Sequence, residues 1–125
     1  MLSTIATVLA GLIGAGVIFM GAHFFWAPHS AAGFGIPGTP TEDPGFRAWL
    51  SVKAMRDIVA GVLILIVLVG GTTHLLGWIM LAAAVIPVGD AVIVLRSKGP
   101  KATAYGVHAA TAAVMLVIGA LLLIA

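Results

Sequence analysis

The chain has 125 residues, of which 62% are hydrophobic and 8% are charged, and its mean hydropathy is +1.22. Soluble domains carry about 25% charged residues. Six basic and four acidic side chains are therefore too few to cover a soluble globule, which argues against a soluble enzyme and for a single all-α integral membrane domain over residues 1–125. The lack of cysteine excludes disulfides and thiolate chemistry, and the net charge of +2 does not point to nucleic acid.

Four segments are apolar and long enough to cross a bilayer as helices, which takes about 20 residues each. They are residues 2–26, 46–69, 75–95 and 102–125. No basic residue precedes the first segment and no small-residue cleavage site follows it, so we expect a retained helix rather than a signal peptide. Because the last two connections are short, neighbouring helices are expected to run antiparallel. The pattern predicts an antiparallel, up-down four-helix bundle in the membrane.

The connection over residues 27–45 is the longest, and it contains four prolines together with Glu42 and Asp43. This is loop chemistry, and we expect the segment to act as a lid. Residues 33–38 match the pattern G-x-G-x-x-G. That fingerprint requires a preceding strand and a helix that opens on it. Here an apolar helix precedes the segment and prolines interrupt it, so neither nucleotide binding nor another cofactor is expected.

The basic residues indicate an orientation. Those near the 27–45 and 96–101 connections are Arg47, Arg96, Lys98 and Lys101. The connection on the opposite side, between the second and third spans, contains no Lys or Arg and only one histidine, His74. The positive-inside rule therefore predicts a multi-pass protein of the cell membrane, with both basic connections in the cytoplasm and both termini on the non-cytoplasmic side.

The second span brings three ionisable side chains to membrane depth. Its uninterrupted apolar run, residues 58–69, covers about 18 Å of a hydrocarbon core about 30 Å thick. The helix must therefore draw in Lys53, Arg56 and Asp57. At roughly 100° per residue these three fall within an arc of about 100°, which Trp49 shares. Because charges that face lipid are costly, we expect this face to point into the bundle.

The other spans carry polar residues toward the same end. Asp90 follows Pro87 in the third span, Tyr105 and His108 lie near the start of the fourth, and His23 lies near the end of the first. The opposite half of the bundle is almost purely aliphatic. We therefore predict a polar pocket that opens toward the cytoplasmic face.

The candidate site residues fall into two groups. The acid–base candidates are the buried titratable groups Asp57, Asp90 and His108. The ligand-binding candidates are cations for an anionic head group or oxyanion, together with aromatic and imidazole side chains: Lys53, Arg56, Trp49, Tyr105 and His23. No metal is expected, because the sequence lacks His-x-x-x-His and Glu-x-x-His spacings.

Two stretches resemble a known family. They are Ser-Val-Lys-Ala-Met-Arg-Asp at 51–57, followed by Gly61, and Pro-Val-Gly-Asp-Ala-Val-Ile-Val-Leu-Arg at 87–96, with His108 in the last helix. Together they are similar to the domain-of-unknown-function 4267 family, small four-helix membrane proteins of bacteria and fungi with a more distant likeness to DoxX-like proteins. The resemblance implies the four-helix membrane fold and supplies no settled activity.

Three functions remain open at this point. The first is a pocket that binds a lipophilic small molecule and transforms it by acid–base catalysis, for example by isomerisation, cyclisation or hydration. The second is a structural subunit of a membrane complex, in which Lys53, Arg56 and Asp57 form an ion-paired network that fixes helix register or meets a partner. The third is a proton-coupled transporter, although transport sites more usually lie at the midplane. The expected partners are the lipid bilayer and a second copy or another membrane protein, since Ala10 and Gly14 have small-xxx-small spacing.

Overall fold

The computed structural model describes residues 1–125 and contains helices but no β-strand. The α-helices are α1 (Leu2–Trp26), α2 (Pro44–Gly70), α3 (Thr73–Arg96), α4 (Lys101–Thr103) and α5 (Ala110–Ile124). A 3-10 helix, Pro28–Phe34, follows α1, and a π-helical segment, Ala104–Ala109, joins α4 to α5. The all-α class that the composition predicts is therefore confirmed.

Three helical stretches are long and apolar enough to cross a membrane. They are Leu2–Trp26, Thr73–Arg96 and the continuous stretch Lys101–Ile124. The chain is thus a multi-pass membrane protein. α2 has 27 residues, but Lys53, Arg56 and Asp57 interrupt its apolar sequence, so it is not among the three.

Two helices, α2 and α3, each begin two residues earlier than the hydropathy pattern predicts, because polar caps extend them. The Asp43 carboxylate accepts a hydrogen bond of 2.7 Å from the Phe46 amide, and Pro44 occupies the first turn of α2. The Thr72 hydroxyl likewise accepts a hydrogen bond of 3.0 Å from the Leu75 amide. Capping side chains satisfy amides that have no partner inside the helix. The predicted starts at 46 and 75 therefore become 44 and 73.

Small residues set how closely the helices approach. α1 packs on α2, where a Cβ added to Gly61 would lie 2.5 Å from the Gly14 carbonyl oxygen and one added to Gly21 would lie 2.8 Å from the Ala54 oxygen. α3 packs on α5 less closely at Gly77, where an added Cβ would lie 3.0 Å from the Leu123 side chain. The backbone approaches at Gly61 and Gly21 leave no room for a side chain, so these glycines are required by the packing itself.

The main hydrophobic core lies at the end of the molecule remote from the 27–45 connection. It combines the start of α1 and α3 with the end of α2 and α5: Ala6, Ala10, Ile64, Leu76, Met80, Ala84, Met115, Ile118 and Leu122. None of these side chains is polar. The Lys, Arg, Asp and Glu residues of the helices all lie toward the other end, and the 27–45 connection covers two of them, Lys53 and Asp90.

Candidate ligand-binding site

A cavity of about 550 Å³ lies under the 27–45 connection. Residues 36–40 of the connection cover it, Phe24 and Ile93 reach it from α1 and α3, and Phe46 and Trp49 reach it from α2. Trp49 lines the cavity and is also 74% exposed, so it stands at the open edge. The walls are mainly apolar, as in most small-molecule sites.

Two charged side chains, Lys53 and Asp90, line this otherwise apolar cavity. They come from different helices, α2 and α3, which meet beneath the connection. Two residues predicted to contribute to one pocket are therefore brought to the same space. Each has a different set of partners, and those partners determine what the cavity offers to a ligand.

The Lys53 ammonium is held by three groups of the protein. It donates to Asp57 Oδ2 at 2.6 Å, and it lies 5.3 Å from the ring centroid of Phe24 and 5.5 Å from that of Phe34. Both distances are within the range of a cation–π contact. One side chain thus connects α2 to α1 and to the 3-10 helix.

Phe34 also attaches the 27–45 connection to the π-helical segment Ala104–Ala109. His108 Nε2 lies 2.8 Å from the Phe34 carbonyl oxygen, and the two rings lie 4.4 Å apart between centroids. Because a carbonyl oxygen can only accept, Nε2 carries the proton and donates it. His108 is 8% exposed and sits in the π-helical segment, a local irregularity that is often found at functional positions.

Asp90 differs from Lys53 because its carboxylate forms no hydrogen bond and no ion pair within the protein. It is half-buried. Lys53 and His108, which lie nearby in the fold, form their hydrogen bonds with Asp57 and with the Phe34 carbonyl instead. A carboxylate without a partner at membrane depth is costly, which makes Asp90 the main candidate for a functional residue of this cavity.

The connection is fixed to the bundle at a second point, next to Phe34. Gly35 has a φ of +111°, which favours glycine, and a Cβ there would lie 3.0 Å from both Val94 and Thr103 side chains. A Cβ on Gly99 would overlap the Gly35 carbonyl oxygen. The segment that we expected to be a lid is therefore anchored at Phe34 and Gly35, and the part beyond them arches over the cavity.

Arg56 does not face the pocket, so the predicted inward direction of this residue is wrong. It is exposed, and its guanidinium Nη1 donates to the Val52 carbonyl at 3.3 Å. The buried face of α2 centres on Leu50, Ala54 and Gly61. At roughly 100° per residue, Arg56 lies about 120° away from Leu50 around the helix, so it falls outside that face.

The remaining candidates lie at the edge of the site or beyond it. Tyr105 is 59% exposed and does not line the cavity. His23 packs on Phe19 and Trp26, with ring centroids 5.8 and 5.2 Å away, and its buried Nδ1 has no hydrogen-bond partner. Asp57 lies behind the cavity wall, where its Cβ packs against Gly21. No group of three or more His, Asp and Glu side chains is arranged to hold a metal ion.

Sequence reasoning missed the aromatic residues that surround Lys53. Phe24 and Phe34 are separated in sequence by the 3-10 helix and follow no helical period with Lys53. Two signals were available: Phe24 belongs to the aromatic run 23–26, and Phe34 is the bulky residue between Gly33 and Gly35. Neither signal indicates which cation the rings would meet, because that depends on how the connection folds back.

Comparison of the sequence with models of known protein families gives a match to one family. The family described as domain of unknown function (DUF4267) matches residues 14–122, which includes Lys53, Asp57, Asp90 and His108. Comparisons with curated proteins and with solved structures gave no match. The chain therefore belongs to the DUF4267 family.

Proposed function

We propose that this protein is an antiparallel four-helix membrane bundle that binds a lipophilic small molecule in the cavity beneath residues 27–45. The observation that carries the proposal is the cavity of about 550 Å³ with aromatic walls and with Lys53 and Asp90 on its surface. Cavities of about 300–1,000 Å³ with a few polar groups are typical of small-molecule sites. A membrane-dissolved ligand suits walls of this kind.

The four-helix arrangement requires α2 to cross the membrane in addition to the three apolar helical stretches. Its 27 residues extend about 40 Å, enough to cross a bilayer. Along α1, Gly14 meets Gly61 and Gly21 meets Ala54, so the two helices run in opposite directions. The Lys53–Asp57 pair lowers the cost of placing both charges in the membrane, since each partner compensates the other.

The same site supports acid–base chemistry on a bound molecule. The Asp90 carboxylate has no hydrogen bond or ion pair with another group of the protein, and Lys53 lines the same cavity. A carboxylate that accepts or gives a proton beside a cation that stabilises developing negative charge is the arrangement needed for isomerisation, cyclisation or hydration. Asp57 is bonded to Lys53 and His108 to Phe34, so in this proposal both position the site and Asp90 acts on the ligand.

The absence of cysteine allows a direct binding test. A single Pro40→Cys substitution places a thiol on the cavity wall, and Ala32→Cys places one on the same connection outside this cavity. We expect 1-decanol to slow maleimide labelling of Pro40→Cys in a saturable manner while labelling of Ala32→Cys is unchanged. Equal slowing at both positions would mean that decanol acts through the membrane, and no slowing at either would also contradict a lipophilic site.

Arg56 favours a second candidate function, that of a subunit in a larger membrane complex. Its exposed guanidinium lies about 18 Å along α2 from Pro44 and bonds only to the Val52 carbonyl. A partner helix with a carboxylate would compensate this charge. Mild solubilisation followed by size measurement tests the idea: a complex that is lost in Arg56→Gln supports it, and a lone protomer or homodimer in both proteins argues against it.

Proton-coupled transport is the third candidate, and flux in proteoliposomes that does not respond to a pH gradient would eliminate it.

A further inference from the structure

The charges around the cavity do not balance, and the imbalance bears on the ligand. Lys53 has three N–H donors, and one of them is donated to Asp57 Oδ2 at 2.6 Å, while the ring centroids of Phe24 and Phe34 lie at cation–π distance, 5.3 and 5.5 Å from Nζ. The ammonium is therefore engaged within the protein. An anionic head group, which sequence reasoning had assigned to Lys53, would have to compete with Asp57 for this ammonium.

Asp90 is the one carboxylate of the cavity lining, and it has no ion-pair partner in the protein. The carboxylate and ammonium groups around the cavity are Lys53 and Asp57 from α2 and Asp90 from α3. His108 donates to the Phe34 carbonyl and His23 packs on Phe19 and Trp26, so neither imidazole pairs with Asp90. Lys53 and Asp57 cancel each other as an ion pair. One negative charge remains, and it belongs to the side chain that has no partner and that lines the cavity.

The walls close to Asp90 suit a cation with an apolar body. Phe46 and Trp49 line the same cavity, and neither ring is engaged by a cation of the protein. Aromatic faces attract ammonium groups and also accommodate alkyl chains. An anion would meet a net negative site, and a neutral alcohol would leave the carboxylate charge uncompensated.

We infer that the ligand is a lipophilic amine, bound through its ammonium group to the Asp90 carboxylate with its apolar part against Phe46 and Trp49. This inference rests on the proposed function, since it names the chemical class that the same cavity takes. In the complex the ammonium donates to Asp90, as the Lys53 ammonium donates to Asp57. The site then holds two ion pairs and no uncompensated charge.

The test compares three probes of equal chain length, decylammonium, 1-decanol and decanoate, by protection of the Pro40→Cys thiol from maleimide. Decylammonium should protect at a concentration about tenfold or more below that of decanol, and decanoate should protect least. Asp90→Asn should remove the advantage of decylammonium while decanol still protects. Glu42→Gln is the matched control, because it removes an exposed carboxylate from the same connection and should preserve the order of the probes.

The outcomes separate this inference from the proposed function. If decanol protects Pro40→Cys and decylammonium has no advantage, or if Asp90→Asn keeps that advantage, the amine assignment is overturned and the lipophilic site stands. If Glu42→Gln abolishes the advantage to the same extent as Asp90→Asn, general surface charge explains it and the assignment is again overturned. If no probe protects, the proposed function fails as well.

Discussion

Lys53 is the residue at which three parts of the site meet. Its ammonium joins Asp57 on α2 to Phe24 on α1 and Phe34 on the 3-10 helix. The side chains of Lys53 and Asp57 are 41% and 20% exposed, so the pair is only partly removed from solvent. Its contribution should lie between that of a surface pair and that of a fully buried one.

A double-mutant cycle on this pair measures that contribution. We expect Lys53→Met and Asp57→Leu each to lower the free energy of unfolding by about 1–2 kcal/mol, because each leaves a charge uncompensated. The double variant should lose less than the sum. Unfolding in mixed detergent and SDS micelles provides the measurement. The Glu42–Arg47 pair, 88% and 44% exposed, is the control and should couple by less than about 0.5 kcal/mol; equal coupling in the two pairs would refute the expectation.

At the scale of elements, glycines determine how α1 and α2 fit together, and a histidine determines where the 27–45 connection lies. The first effect is steric, because backbone atoms of the two helices touch at Gly14 and Gly61. The second is a single hydrogen bond between elements remote in sequence, from His108 to the Phe34 carbonyl. Each can be tested by one substitution beside a close control.

Gly61→Ala should separate α1 from α2. The added Cβ would lie 2.5 Å from the Gly14 oxygen and 2.6 Å from an Ile18 side-chain carbon, so we expect a loss of about 2 kcal/mol or more in the free energy of unfolding. Gly16→Ala in α1 is the control, because a Cβ there meets nothing within 4 Å; it should leave stability unchanged or raise it by up to about 1 kcal/mol. Similar losses in both variants would show that steric contact is not the cause.

His108→Leu should loosen the connection over the cavity. Loss of one hydrogen bond worth about 1 kcal/mol should raise the population of the locally open state about fivefold, and hydrogen exchange of the amides in residues 31–36 should speed up by the same factor. Tyr105→Leu is the control in the same π-helical segment, since Tyr105 is exposed and does not contact the connection through a hydrogen bond. Unchanged exchange in His108→Leu would show that Gly35 and its neighbours anchor the segment without His108.

For the whole molecule, the unequal ends of the bundle are the main feature. One end is an apolar core, and the other contains the Lys, Arg, Asp and Glu residues and the cavity. If α2 crosses the membrane, the positive-inside rule predicts that the second end faces the cytoplasm. The number of spans and the orientation are therefore one question.

Labelling of single cysteines answers that question. We expect Gly33→Cys and Ser97→Cys to react with an impermeant maleimide only from the cytoplasmic side, in inverted vesicles, and Gly70→Cys only from the outside, in intact cells. All three positions are exposed. Labelling of Gly33→Cys and Gly70→Cys from the same side would show that α2 does not cross, and full reversal of the pattern would overturn the orientation alone.

The sequence by itself determined the class of the protein, the membrane environment and the position of the helices to within a few residues. Composition and the length of apolar runs suffice for this, because a bilayer demands helices of a set length. It also indicated that Asp90, Lys53 and His108 lie toward one end. Turn and cap chemistry before Phe46 and Leu75 was readable as well, and it would have corrected the start of α2 and α3.

Only the tertiary structure decided which way the charged residues of α2 face and which aromatic rings they meet. Helical periodicity gives the angle between Lys53 and Arg56, but the centre of the buried face depends on where α1 approaches most closely, which is at Ala54 and Gly61. Arg56 is left outside for that reason. The rings of Phe24 and Phe34 reach Lys53 through an irregular connection, whose path depends on contacts with Gly99 and His108 that no local pattern encodes.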